Sequence, residues 1–175
     1  MLWLGRSSLP ATSSFCGGIM DLLISYFYQI RFFNTNMIPL STAVWDPKWF
    51  HDFKGQDNIF VDNRGIINGI RYTPFRPGNQ LENLCRGPEN CNPPIPDKCA
   101  FLQGYYKQLM QLDYAEIQND FDYIVNSIKQ CDISIGDNPS MVLIVHEAPN
   151  NPCSERQAIF KWAKDRGIDI REFKK

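Results

Sequence analysis

MVLIVHEAPNNPCSER, residues Met141 to Arg156, is the stretch whose reading decides the fold. Met141 to Val145 is apolar throughout, with no polar alternation. Such a run suits a strand buried on both faces, as in a parallel sheet. A short polar loop follows. Ser154 to Arg166 then has helical spacing, with Ile159, Trp162 and Ala163 on one side and Gly167 placed to end the helix. Ile168 to Phe173 alternates and predicts an edge strand. The unit is therefore strand–helix–strand, for which a parallel pairing and a right-handed crossover are expected.

Working outward, Asp21 to Phe33 (DLLISYFYQIRFF) is rich in aliphatic and aromatic residues, and its first half reads as a second buried strand. Met37 to Val44 reads as a third. Trp45 to Phe53 predicts a short helix or turn, with Asp46 as N-cap and Pro47 at the first helical position. Asn58 to Tyr72 is a weaker β region with turn signals at Asp62-Asn63-Arg64-Gly65 and Asn68-Gly69. Thr73 to Lys98 is irregular and rich in proline and cysteine. Ala100 to Leu112 predicts a helix from the spacing of Phe101, Tyr105, Leu109 and Leu112. Asp113 caps a further helix with a stripe of Ile117, Phe121, Ile124, Val125 and Ile128. The expected fold class is α/β: a three-layer, Rossmann-like, mostly parallel sheet flanked by helices, with an irregular Cys/Pro-rich insertion.

Composition narrows the function. The chain has 175 residues, is 43% hydrophobic and 21% charged, and carries a formal net charge of −1. That length and balance suit one globular domain over residues 20–175. Residues 1–19 are rich in Ser, Gly and Thr and read as a poorly structured extension. No polybasic stripe suggests a nucleic-acid polymer surface. No apolar run is long enough to span a bilayer. Six cysteines, without a recognisable signal peptide, favour free thiols or a metal site in a reducing, cytoplasmic compartment. Oligomeric state is not legible.

Three segments, Ile24 to Phe33, Ile38 to Phe50 and Val142 to Phe173, together resemble the domain-of-unknown-function 488 family (DUF488). The resemblance lies in an ordered set: a Tyr-Phe strand end, a Pro-Ser strand with a Pro-x-Trp turn, a Tyr-x-x-x-Leu helix at Tyr105 and Leu109, an apolar strand ending in glutamate, and a final strand at Gly167 to Glu172. The family's Cys-His-Arg helix start is here Cys153-Ser154-Glu155-Arg156, so its histidine is missing. If that histidine serves as a base, this chain uses Glu155 or His146 instead, or has none. The resemblance implies the fold more than a function.

The candidate chemistry gathers at the same junction. Cys153 at a helix start would have a lowered thiol pKa, aided by Arg156, and would act as a nucleophile; otherwise it is a small residue in a tight turn. Two residues separate Cys153 from Arg156, too few for the anion cradle of cysteine phosphatases. Glu147 and Glu155 are the candidate acid–base groups. Arg156 would clamp an anion or serve as a surface partner. Ser25, Tyr26, Arg31, Ser41 and Thr42 lie at the ends of the other strands, where hydroxyls suit a sugar or phosphate. Trp45, Trp49, Tyr105 and Tyr106 would stack a planar ligand or fill the core. Cys85, Cys91 and Cys99 would hold zinc or an iron–sulfur cluster, or are unrelated thiols. The expected function is a small enzyme acting on a nucleotide- or nucleic-acid-derived substrate. The alternative is a non-catalytic ligand- or nucleic-acid-binding module, stapled by a Cys-bound metal.

Overall fold

The computed structural model describes residues 20–51, 59–84 and 96–175. Four parallel strands form the central sheet: β1 (Leu22–Tyr26), β2 (Met37–Ser41), β5 (Ser140–Val145) and β6 (Arg171–Glu172), in the order β2-β5-β1-β6. Register is continuous across the centre. Ser41 pairs with Ile144, and Tyr26 pairs with Val145, so the carboxyl ends of β1, β2 and β5 finish together. Beyond β2, Arg71 makes a parallel bridge to Ser41, and the amide of Tyr72 donates to the Ser41 carbonyl at 2.8 Å. This covers part of an edge that would otherwise present unpaired backbone groups. A two-stranded hairpin, β3 (Phe60–Val61) and β4 (Ile67–Asn68), stands apart as a second sheet. Its turn closes at Gly65, whose φ of +81° suits glycine.

The two faces of the main sheet are covered differently. Leu22, Ile24, Ile38, Leu40, Met141, Leu143 and Val145 face one core, completed by α1 (Ala100–Leu109), α2 (Tyr114–Gln130) and α3 (Arg156–Asp165). Trp162 of α3 is fully buried there, edge-on to Phe75 at 5.0 Å. Val142 and Ile144 face a smaller core, made with Phe27, Ile30 and Phe33 after β1, Phe50, and Ile66 of the hairpin. That side is covered by 3-10 turns and the hairpin rather than by α-helix. The chain from β5 to β6 runs through α3 and passes over β1. It leaves α3 by a tight left-handed glycine: Gly167 has φ +66°, and the amide of Ile168 reaches back to the Ala163 carbonyl at 2.9 Å.

Several expectations shift in detail. β1 and β5 are central, whereas β2 is the outer member of the four-stranded order. The first helix stops at Leu109 rather than Leu112. Asp113 caps α2 as expected, accepting from the Ala115 amide at 2.9 Å. The turn after β2 is a single 3-10 turn at Lys48–Phe50 with Pro47 before it, and Asp46 makes no cap. Its carboxylate is engaged elsewhere, with Ser41, His51 and Arg71. α3 begins at Arg156, two residues later than the pattern predicts, because Asn151 to Ser154 are folded into turns first: the Ser154 amide donates to Asn151 O and the Gln157 amide to Ser154 O. Among the described residues, no helix is long and apolar enough to cross a membrane.

Candidate ligand site at the carboxyl edge of the sheet

Parallel strands collect their functional side chains at the carboxyl edge, because each is followed there by a loop entering a new element. Alternation then divides those side chains between the two faces. Tyr26 and Glu147 go to the helix side. Phe27 and His146 go to the other.

On the helix side the chain builds a buried knot of charge. Arg156, at the first turn of α3, is 2% exposed. Its Nη1 donates to the Glu147 carbonyl at 2.9 Å, and its Nε lies 3.3 Å from Glu172 Oε2 on β6. The Tyr26 ring lies 6.0 Å from the guanidinium carbon. Burial lowers the Arg156 pKa, and Glu172 and Glu147 oppose that. Glu155, 6% exposed, is pushed up to about 8, chiefly by loss of solvent and further by Glu147, with Arg156 opposing. It therefore carries its proton at neutral pH. Glu172 is also raised by burial, despite its arginine. Glu147 Oε2, Glu155 Oε2 and Arg156 Nη2 are shielded from solvent and have no hydrogen-bond partner among the described residues. Such atoms are costly to bury and mark a place where the polypeptide is not optimised for packing alone.

The sequence-predicted residues are distributed unevenly over this edge. Glu147, Glu155, Arg156 and Tyr26 do come together. Cys153 lies three residues before α3 in a turn, 8% exposed, its amide held by Asn151 Oδ1 at 2.9 Å. It is thus buried and outside the first turn of the helix, where the positive end of the dipole is felt most. Arg156 is not a surface partner: it is buried, with Nη1 on the Glu147 carbonyl and Nε toward Glu172. Thr42 is fully buried, its hydroxyl donating to the Ile144 carbonyl at 3.0 Å. Ser41 donates to Asp46. Ser25 is buried within β1, on the face opposite Tyr26, with its hydroxyl unpartnered among the described residues. Tyr105 is a core residue, its hydroxyl donating to the Phe75 carbonyl, and Tyr106 bonds Asp165 on the surface at 2.6 Å. Cys99 is buried ahead of α1. Cys85 and Cys91 lie outside the described residues. No group of three potential metal ligands occurs among the described residues.

The other side of the edge is open. A cavity of about 690 Å³ is lined by Phe27, Tyr28, Ile30 and Arg31 after β1, by Trp45, Asp46, Pro47 and Trp49 after β2, by His146 after β5, and by Arg64 of the hairpin turn. The volume lies in the range of small-molecule pockets. Its aromatic groups are unusually accessible: Trp45 is 76% exposed, Tyr28 52% and Trp49 48%. Trp49 is anchored edge-on to Phe27 at 6.1 Å, whereas Trp45 stacks on no ring among the described residues. At the floor, Asp46 ties the loop to the sheet. It accepts from Ser41, lies 2.8 Å from Arg71 Nε and lies 3.1 Å from His51 Nε2. The order is Ser–Asp–His, with the carboxylate in the middle. It is a brace, since the serine donates to the aspartate and not to an imidazole that would activate it.

Sequence reading found Arg31, Trp45 and Trp49 but not their convergence, and it missed Tyr28, Arg64, His146 as a lining residue, and the Asp46–His51–Arg71 brace. Two tryptophans four apart in a polar turn are the one local signal for the cavity. The brace has no local signal, because Arg71 reaches it from beyond the hairpin. No family model, curated protein or solved structure matches this chain.

Proposed function

We propose that this chain is a binding module for a nucleotide- or nucleic-acid-derived small ligand, held in the aromatic cavity at the carboxyl edge of its sheet. The observation that supports this reading is the 76% exposed Trp45 at the wall of a 690 Å³ cavity. A large apolar ring left in water is a cost unless something covers it, and a planar base stacks on such a ring. The near-zero net charge argues for a small ligand over a long polyanion. The buried setting of Cys153 weighs against the nucleophilic reading, and with it against catalysis at the Glu147, Glu155 and Cys153 junction. The DUF488 resemblance, the Rossmann-like description of the sheet, the Cys/Pro-rich insertion with its zinc or iron–sulfur ligands, and a cytoplasmic location belong to this same reading and rest on sequence pattern alone.

The test is a titration of the four common ribonucleosides followed by tryptophan fluorescence. At least one should quench the signal saturably, and Trp45→Ala should weaken that binding about fivefold or more, as loss of one stacking platform does. Absence of saturable binding by all four and by their 5′-monophosphates would sink the proposal.

One observation favours a second, catalytic reading. Glu155 is raised to about 8 by burial, and a buried carboxyl that holds its proton near neutral pH is a candidate general acid. A nucleosidase assay on the same four compounds decides it: catalysis would release free base, and Glu155→Gln would abolish the release.

A further inference from the structure

We propose that Arg31 is the anchor for a single phosphate, so that the cavity selects nucleoside 5′-monophosphates over nucleosides. This inference rests on the binding reading above and adds the part of the ligand that stacking does not specify.

The arginines of this chain are occupied in different ways. Arg64, which also lines the cavity, is paired with Asp62 and donates to the Ile30 carbonyl at 3.2 Å. Arg71 is committed to Asp46, Arg156 to Glu172 and Arg171 to Asp21. Arg31 lines the cavity, is exposed, and has no carboxylate within ion-pair distance among the described residues. It is nevertheless held in place. Its Nε donates to the Tyr28 carbonyl at 3.0 Å, and its guanidinium carbon stands 3.4 Å above the centre of the Tyr28 ring. The Nη groups, which form the edge that pairs with an oxyanion, are not used by these contacts.

Such an arrangement has a chemical meaning. A guanidinium stacked on an aromatic face has already lost much of its side-chain freedom, so less entropy is lost when it binds. Its planar fork matches two oxygens of a phosphate. Trp45 and Trp49 rise from the turn after β2, and Arg31 from the segment after β1; both line the same cavity. A ligand with a planar ring and one attached anion satisfies both. One such guanidinium suits one phosphate group.

The experiment compares each ribonucleoside with its 5′-monophosphate, and with inorganic phosphate alone, by calorimetric titration of the full chain. The monophosphate should bind at least about tenfold more tightly than the nucleoside at low salt, and the advantage should shrink as ionic strength rises. Arg31→Ala should bring the monophosphate down to the nucleoside's affinity in the same variant, with little change in the melting temperature. Arg31→Lys should restore part of the preference. Equal affinity for nucleoside and monophosphate, or a preference that survives Arg31→Ala, overturns the inference while leaving the base-stacking reading intact. No binding of either compound overturns both.

Discussion

The two sides of the sheet's carboxyl edge use the same residue types in opposite ways. On the helix side, Arg156 is buried against Glu172 and the Glu147 carbonyl, with a protonated Glu155 beside it. On the other side, Arg31 lies on Tyr28 at the wall of an open cavity, with no carboxylate partner among the described residues. The difference teaches that an arginine's place on a strand-end loop does not make it a ligand clamp. What matters is whether the fold has already supplied its counter-charge. Burial makes the first arginine part of the architecture, and exposure leaves the second available.

The largest expected effect tests the first half of that contrast. Arg156→Ala removes one partner of a buried ion pair and leaves Glu172 and Glu147 uncompensated, which should destabilise the chain by about 3–5 kcal/mol. Arg31→Ala should change stability by less than about 0.5 kcal/mol, as exposed substitutions usually do. Urea melts of the two variants check this directly, and equal losses would erase the distinction between the two sides.

Protonation gives the helix side a pH dependence of its own. Glu155 titrates near 4.5 when unfolded and at about 8 when folded. The unfolded chain therefore releases this proton first, and stability should fall as pH rises from about 4.5 to about 8. Glu172, also raised, acts in the same direction. In Glu155→Gln the decline should become shallower, leaving the part due to Glu172. Denaturant midpoints measured at intervals over that range decide the matter. An unchanged slope in the variant would mean that Glu155 is not the buried acid.

Trp45→Ala should lower affinity for the bound nucleoside by about 1–3 kcal/mol, with little change in melting temperature. Trp162→Ala would do the reverse on the helix side, where the ring is wholly buried. A further change touches neither half of the edge. Gly167→Ala should cost about 1–2 kcal/mol, because φ is +66° there, and nothing within 4 Å of the added methyl contributes a clash. A much larger loss would show that the end of α3 is coupled to the knot at its beginning.

How legible was this in the sequence? The strand–helix–strand unit at Met141 to Glu172 was readable because its signals are local: a continuous apolar run, a helical stripe ending at Gly167, and a short alternating tail. The Asp113 cap was readable for the same reason. Asp46 misled, because Asp-Pro before a short polar–aromatic stretch is an N-cap pattern, and a contact from Arg71 is invisible to a local pattern. Arg156 is a related case: its partner Glu172 lies on β6, on the far side of the crossover, and no local pattern announces it. Ser41 and Thr42 were rightly placed at a strand end, but their hydroxyls satisfy Asp46 and the Ile144 carbonyl, and nothing in their neighbourhood along the chain announces that.

The sequence by itself determined the elements, the parallel character of the sheet and the edge at which polar side chains would gather, because hydrophobic period and turn chemistry are properties of neighbours along the chain. The tertiary structure alone decided which of those side chains are buried in ion pairs and which remain open to a ligand. That depends on strand order: β6 joins the sheet beside β1 and brings Glu172 to Arg156, while β2 lies beyond β5 and brings Trp45 to the same cavity as Arg31. Charge pairing and cavity formation act through space over a few ångströms, and only the folded chain sets those distances.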